Sequence, residues 1–186
     1  MKEYLISLII GTRPEAIKLA PVINAFKQHK SIKTRVILTG QHKEMVEQVL
    51  KIFNFSPNKD LNIMKEKQSL SYVTSKSLNG LDKEFENNRP RLVLVQGDTT
   101  SAFSGALAAF YKKIPVAHVE AGLRTSCIYD PYPEEINRRL ISQIADIHFA
   151  PTIKAKENLI ASNVQGEILV TGNTVIDALL SINTKE

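Results

Sequence analysis

Three carboxylates in this sequence lie beside predicted strands, where their type and spacing suit proton transfer. Asp98 comes just after the apolar run Leu92–Val95, Glu120 follows the run Ile114–Val119, and Glu134 opens a predicted helix. Carboxylates that lie close together disfavour each other's ionisation, so that acid and base forms coexist near neutral pH. With a cation nearby, they would move protons at a carbon atom or on a leaving group.

Asp98 has a second, purely structural interpretation as a helix cap. The small-residue segment Ala102–Tyr111 predicts a helix, and Asp is a favoured residue at a helix start. Thr99, Thr100 and Ser101 can supply that cap without it. We therefore expect Asp98 to lie in a ligand site at the carboxyl end of a strand, where open α/β sheets bind their ligands.

Basic residues beside the first predicted helix suggest an anion site. Thr12 and Glu15 have the spacing of a capping box, with Pro14 in the first turn. Arg13 stands at this helix start, and a guanidinium beside backbone N–H groups binds anions. Lys18 either adds positive charge to this site or faces solvent.

The start of a later helix, Glu134 to Arg139, also has two interpretations. Glu134 and Glu135 could compensate the helix dipole in the first turn. Arg138 and Arg139 stand four residues further on, where they would form ordinary ion pairs with them. We expect at least one of these four side chains to be only a surface residue.

The four histidines do not have the spacing of metal ligands. His118 and Glu120 share a strand face without a third ligand, so no metal site is predicted. We expect His29 to be exposed and His148 to be structural. His42 follows a predicted strand, and we place it near the ligand.

Apolar runs and helical patterns alternate about seven times, which predicts an α/β fold with a doubly wound parallel sheet. The predicted strands are 4–10, 35–38, 61–64, 92–95, 114–119, 147–150 and 168–170. Pro21 is expected to kink the first helix or split it in two. The last helix, 175–182, is apolar and either packs on the sheet or leads toward a second domain. No G-x-G-x-x-G sequence is present, which disfavours a nicotinamide or flavin cofactor.

Length and composition favour a globular protein and exclude several classes. The chain has 186 residues, 43% of them hydrophobic, and a net charge of +5. Lys and Arg are dispersed, so no nucleic-acid binding is predicted, and no apolar run approaches the ~20 residues of a membrane span. The single cysteine, Cys127, allows no internal disulfide and suits a cytoplasmic location.

Taken together, these residues stand in motifs that resemble the non-hydrolysing UDP-N-acetylglucosamine 2-epimerases. The motifs occur in family order across almost the whole chain: GTRPEAIK at 11–18, QH at 41–42, GDTT at 97–100, HVEAGLRT at 118–125, PEEINR at 133–138 and TGNTVID at 171–177. Each motif alone is weak, whereas the set is specific.

The resemblance implies a fold, a domain division and partners. The chain would be the Rossmann-like, N-terminal half of the two-domain GT-B-type fold that one large class of glycosyltransferases shares. Residues 1–172 would form that domain, and 173–186 a linker helix toward an absent C-terminal domain. That domain supplies a histidine and most contacts to uridine and diphosphate, so the chain alone is expected to be inactive. The full-length form is expected to be a homodimer.

The resemblance also implies a reaction. UDP-N-acetylglucosamine would lose its C2 proton and eliminate UDP in anti fashion, and UDP would add back to give UDP-N-acetylmannosamine without any cofactor. Seven positions match the family's site residues: the acid/base carboxylates Asp98, Glu120 and Glu134, the basic residues Arg13 and Lys18, and Gln41 with His42 near a regulatory substrate site.

Two other functions remain open at this point. The chain could be one subunit of a split GT-B enzyme or glycosyltransferase that a separate C-terminal half completes, or a non-catalytic module that binds UDP-sugars. The motifs do not fix the sugar either, because epimerases that act on 2,3-diacetamido sugars share much of this pattern.

Overall fold

The computed structural model describes residues 3–40 and 43–183, which form alternating strands and helices. The strands are β1 (Tyr4–Ile10), β2 (Ile32–Leu38), β3 (Lys59–Asp60), β4 (Leu92–Gln96), β5 (Val116–Val119), β6 (Ile147–Ala150) and β7 (Glu167–Val170). The helices are α1 (Arg13–Lys27), α2 (Lys43–Ile52), α3 (Leu70–Asn87), α4 (Thr100–Tyr111), α5 (Glu134–Ile144), α6 (Ile153–Ala161) and α7 (Thr174–Asn183).

The strands of the described residues form one parallel sheet in the order β3-β2-β1-β4-β5-β6-β7. The predicted doubly wound sheet is thereby confirmed. The strand order reverses direction between β1 and β4, where the connections that leave these two strands run to opposite sides. Such a switch point opens a crevice at the carboxyl ends of the strands, and this is where α/β sheets bind ligands.

Helices cover the sheet on both faces because the central strands are apolar on both sides. Leu8, Ile9 and Ile10 of β1 are completely buried. Leu8 and Ile10 belong to a core shared with α1, α2 and α7, while Ile9 belongs to a core shared with α3, α4 and α5. A strand buried on both faces reads as a continuous aliphatic run, which is the pattern that located β1 and β4 in the sequence.

The third strand differs from its prediction. It is Lys59–Asp60 at the edge of the sheet, and the predicted strand at 61–64 is wrong. Asn62 has a φ of 51°, and its N–H donates to Asp60 Oδ1 at 2.8 Å, so the chain turns there. Ile63 is nevertheless buried, because the turn directs this apolar side chain into the core.

Pro21 does not split the first helix, which runs unbroken through it from Arg13 to Lys27. Leu19, Ala20 and Ile23 are fully buried on either side of Pro21. This continuous contact with the sheet holds both parts of the helix against the same core.

The last helix, α7, packs on α1 and places Ala178 in the core they share. Ile176, Leu179 and Leu180 remain 58–60% exposed along the same helix. The helix therefore buries one side and leaves an apolar side uncovered. Over the part of the chain that the structure describes, no helix is both long and apolar enough to span a bilayer.

Candidate functional site

Three carboxylates meet in one pocket at the carboxyl edge of the sheet. Asp98 follows β4, Glu120 follows β5, and Glu134 begins α5. The pocket is lined by residues from four segments of the chain, which are Thr12, Pro14, Glu15, Lys18, Gln96, Gly97, Asp98, Thr99, Glu120 and Glu134. The three acids therefore converge on one rim of the sheet, as expected.

Asp98 lies between strand and helix as expected, and it does not cap α4. Thr99 is the cap residue, with its Oγ1 accepting a hydrogen bond from the Ala102 N–H at 3.0 Å. The Asp98 carboxylate forms a close ion pair with Arg138, whose side chain is 11% exposed. Burial raises the pKa of Asp98, the Arg138 charge opposes this rise, and Glu134 and Glu120 add to it.

Glu120 accepts hydrogen bonds on both carboxylate oxygens. Lys18 Nζ donates to Oε2 at 2.5 Å and Gln96 Nε2 donates to the same oxygen at 2.6 Å. Asn173 Nδ2 donates to Oε1 at 2.8 Å. The Glu120 backbone has a φ of 65°, a left-handed conformation that is uncommon for residues with a Cβ and concentrates at functional sites.

Of the two acids at the start of α5, Glu135 has a structural role and Glu134 faces the pocket. Glu135 is completely buried and structural, since it pairs with Arg139 at 2.7 Å and accepts from the Thr125 N–H at 3.1 Å. The Glu134 side chain faces the pocket and has no ion pair or hydrogen bond to another described residue. The expected pair of Glu134 with Arg138 is wrong, because Arg138 turns to Asp98 and Glu135 instead.

The two basic residues predicted for the site, Lys18 and Arg13, have different surroundings. Lys18 contacts Glu120 inside the pocket. Arg13 is exposed and borders an adjoining groove beside α7, which Pro14, Ile17, Val175 and Lys18 itself also line. No described residue pairs with the Arg13 guanidinium, and the cation that contacts Asp98 is Arg138. Gln41 and His42 lie outside the described residues.

Glu15 belongs to the pocket, although its spacing in the sequence indicated only a capping box. Its Oε2 accepts from the Gly11 N–H at 2.7 Å and the Thr12 N–H at 2.5 Å, and its Oε1 accepts from Thr99 Oγ1 at 2.6 Å. Burial raises its pKa. The Gly11 and Thr12 N–H groups, which precede α1, are therefore occupied by an internal carboxyl group.

His118 supports the pocket from behind and is not exposed to it. Its Nε2 lies 2.6 Å from the Gly97 carbonyl oxygen, and burial lowers its pKa to about 4. The ring is therefore neutral near pH 7, and a proton on Nε2 donates to Gly97, the residue before Asp98. His29 is exposed and His148 is buried, as predicted. Within the described ranges, no group of three His, Cys, Asp or Glu residues has the arrangement of a metal site.

Gln96 and Asn173 were not identified from the sequence as contacts of Glu120. Gln96 is the last residue of β4, and a polar residue at a strand end does not by itself indicate a site. Asn173 lies in a segment whose composition is typical of a turn. Only the parallel pairing of β4 with β5, and the packing of α7 on α1, bring them to the carboxylate. Of the three acids predicted for the pocket, Asp98 pairs with Arg138, Glu120 pairs with Lys18 and accepts from two amides, and the Glu134 side chain has no described partner. This arrangement suits proton transfer at two points of a ligand.

The known proteins that this chain resembles in sequence belong to one family. The family model described as UDP-N-acetylglucosamine 2-epimerase matches residues 24–186. The UDP-N-acetylglucosamine 2-epimerase of Bacillus subtilis is 52% identical over 96% of this chain and 47% of its own length. The crystal structure of the Neisseria meningitidis enzyme bound to UDP-GlcNAc matches with a TM-score of 0.93 and 49% identity, over 97% of this chain and 50% of that one.

Two further features of the comparisons concern the fold and the length. Acinetobacter baumannii MurG, a GT-B enzyme, matches with a TM-score of 0.58 at 14% identity, a likeness of fold alone. The chain spans about half the length of the curated relatives it matches.

Proposed function

Because the chain belongs to the UDP-N-acetylglucosamine 2-epimerase family, we propose that it is the N-terminal half of an enzyme that interconverts UDP-N-acetylglucosamine and UDP-N-acetylmannosamine. The observation that carries this proposal is the meeting of Asp98, Glu120 and Glu134 in one pocket. An epimerisation at a carbon atom needs a base on one face of that carbon and an acid on the other. Acids that face one pocket from separate elements can supply both.

In the proposed reaction, one carboxylate takes the proton from C2 of the sugar. The electron pair of that C–H bond forms a double bond between C1 and C2, and UDP leaves from the opposite face with the pair of the C1–O bond. A carboxylic acid then returns a proton to the other face of C2, and an oxygen of UDP forms the bond to C1 again. No atom is oxidised or reduced overall, so the scheme requires no redox cofactor.

The surroundings of the three acids support different parts in this scheme. Glu134 is the candidate for direct contact with the substrate, since its side chain faces the pocket and no described residue pairs with its carboxylate. Glu120 is held by three donors and Asp98 by Arg138. We assign Asp98 and Glu120 to proton transfer from these fixed positions, and Lys18 and Arg13 to the binding of the anionic substrate.

The second half of the site is proposed to come from outside residues 1–186. Residues 1–172 would form the first domain, and 173–186, which include α7, the connection to the next one. A second domain, or a complementary subunit, would then hold the uridine diphosphate. The uncovered apolar side of α7 supports this division, because it lies where the chain would pass into that second part. We further propose a cytoplasmic homodimer for the full-length form.

The test uses the complete polypeptide read in frame through residues 1–186, with residues 1–186 alone beside it. Proton NMR in D2O would follow UDP-N-acetylglucosamine. We expect the complete polypeptide to form UDP-N-acetylmannosamine with deuterium at C2, and residues 1–186 alone to show no turnover. A parallel assay with UDP-2,3-diacetamido sugars identifies the sugar.

Matched variants test the role of the pocket acids. Glu134→Gln should lower kcat by about 10²- to 10⁴-fold, since a general acid/base contributes on that order. Glu157→Gln removes an exposed surface carboxylate from α6 and should leave kcat unchanged. If the complete polypeptide epimerises none of these sugars, the proposal is wrong. Binding of UDP-sugar by calorimetry without turnover would then indicate a binding module.

A further inference from the structure

Asn173 is fixed at both ends of its side-chain amide. Its Oδ1 accepts from the Val175 N–H at 3.0 Å, and its backbone carbonyl accepts from the Ile176 N–H at 3.1 Å. The residue therefore caps the start of α7. Because Oδ1 is the acceptor in this cap, the opposite atom must be the NH₂ group, and that group donates to Glu120 Oε1 at 2.8 Å.

The contact gives Glu120 a donor that no other described side chain replaces. Lys18 and Gln96 both donate to Oε2, so Asn173 alone among the described residues holds Oε1. The Glu120 carboxylate is 11% exposed, and a charge-assisted hydrogen bond at such a site fixes orientation strongly. Asn173 therefore sets the rotation of the carboxylate plane and the direction of its remaining lone pairs.

The position of Asn173 depends in turn on α7. The cap ties the amide to the first turn of α7, and α7 packs on α1, which carries Lys18. Two of the three donors to Glu120 are thus Lys18 in α1 and Asn173, the cap residue of α7, and these two helices pack on each other. Any movement of α7 relative to the sheet changes the distance from Asn173 to Glu120.

We propose that Asn173 is a positioning residue for Glu120 and that it makes the geometry of this carboxylate depend on the placement of α7. This inference rests on the proposed function, in which Glu120 handles a proton and α7 leads to the second half of the enzyme. Asn173 acts through Glu120 and touches no reacting atom itself.

Asn173→Ser separates positioning from capping. Ser and Asn cap helices about equally well, so the cap of α7 is kept while the donor to Glu120 is removed without adding a charge. In the complete polypeptide we expect kcat to fall by about 10- to 100-fold with KM changed by less than about twofold, because misplacing a reacting group costs rate. Tm should fall by no more than about 4 °C, the loss expected for one hydrogen bond.

Thr152→Ala is the matched control for capping alone. Thr152 caps α6, away from the pocket, through a bond from the Ala155 N–H to its Oγ1 at 3.1 Å. Its replacement should lower Tm by about 2–4 °C and leave kcat unchanged. Wild-type kcat in Asn173→Ser would overturn the proposal.

A crystallographic comparison tests the inference independently of catalysis. In the structure of Asn173→Ser, the Glu120 carboxylate should be rotated from its wild-type orientation while α7 keeps its place. An unmoved carboxylate would overturn the positioning role. If the wild-type polypeptide fails to epimerise, the proposed function fails, whereas this comparison still decides whether Asn173 orients Glu120.

Discussion

Glu134 differs from the other acids of the pocket in having no described partner, and the difference arises from one residue of spacing. Glu135 points into the protein, where it forms ion pairs with Arg138 and Arg139 and accepts a hydrogen bond from the Thr125 N–H. Glu134 lies about 100° away around the helix axis and faces the pocket. Neighbouring acids in one helical turn therefore have separate tasks. At this scale, the chemistry of a residue is decided by the donors that other elements bring to it.

His118 predicts how stability depends on pH. Its pKa is about 4 in the folded protein and ordinarily 6.5, so the unfolded chain binds the additional proton between these values. Stability contributed by neutral His118 is thus present above pH 6.5 and is lost as the pH falls toward 4. Relative to His118→Gln, which keeps an amide donor for Gly97 and does not titrate, the wild type should lose roughly 3 kcal/mol more of its free energy of unfolding between pH 7 and 4.

Urea unfolding of residues 1–186 at pH 7 and pH 4 measures this difference. The raised pKa values of Glu15 and Asp98 act in the opposite direction but are common to both proteins, so they cancel in the comparison. Equal sensitivity of the two proteins to acid would contradict the assignment of a neutral, buried His118.

At the scale of elements, the turn after β1 is built around a close approach of Gly11 to α4. A Cβ at position 11 would lie 2.2 Å from Ser101 Oγ and 2.4 Å from Ser101 Cβ. The turn carries Thr12 and Glu15, and Glu15 bonds to Thr99 at the start of α4. The contact therefore fixes two pocket loops relative to each other.

Gly11→Ala should destabilise the protein by about 1–3 kcal/mol, the usual cost of forcing a methyl group into a packed site. Ser101→Gly removes the two nearest obstructing atoms and leaves Thr39 Oγ1 at 2.9 Å, so the double variant should recover part of this loss beyond the cost of the second glycine. Thermal unfolding of the two single variants and the double variant gives the coupling. Gly80→Ala in α3 is the control, since its nearest neighbours are flexible Leu61 side-chain atoms and Ala favours a helix. An additive Gly11/Ser101 pair would show that the approach is not the cause.

The elements were predictable to different degrees, for physical reasons. Strands such as β1 and β4 were located because strands buried on both faces read as aliphatic runs, and the cap of α1 follows from local spacing. The strand β3 was missed because it has two residues, and the buried Ile63 lies beyond a turn that Asn62 makes. Asp98 and Glu120 were predicted from strand ends, Glu134 from a helix start, and Asn173 only as part of a motif. The contacts of Gln96 and Asn173 with Glu120 were not predicted, because they join segments that are distant in the sequence. Glu15 was predicted only as a capping residue, because its contact with Thr99 also joins distant segments.

At the scale of the whole molecule, most apolar surface of the described residues is buried, but one side of α7 is not. Both faces of the sheet are packed with helices, yet α7 leaves Ile176, Leu179 and Leu180 exposed at 58–60%. An apolar surface of this kind marks a place where something else packs. With relatives about twice as long, a following domain is the proposed neighbour.

Residues 1–186 alone should therefore self-associate through α7. Sedimentation velocity at increasing concentration should show association that Ile176→Lys with Leu179→Lys abolishes, with Tm changed by less than about 2 °C because both side chains are exposed. Ile153→Lys on α6, where the side chain is 70% exposed, is the matched control and should leave association unchanged. A monomer at all concentrations, or equal effects of both replacements, would contradict this prediction.

The Glu15 carboxyl group has a consequence for ligand selectivity. Dinucleotide-binding domains hold a pyrophosphate at the turn before the first helix and at its start, but here Glu15 Oε2 already accepts from the Gly11 and Thr12 N–H groups of that turn. A pyrophosphate would have to displace this carboxyl group to reach the two donors, so we expect weak binding of dinucleotides at this turn. Converting it into a nucleotide carrier would begin with the removal of this one side chain.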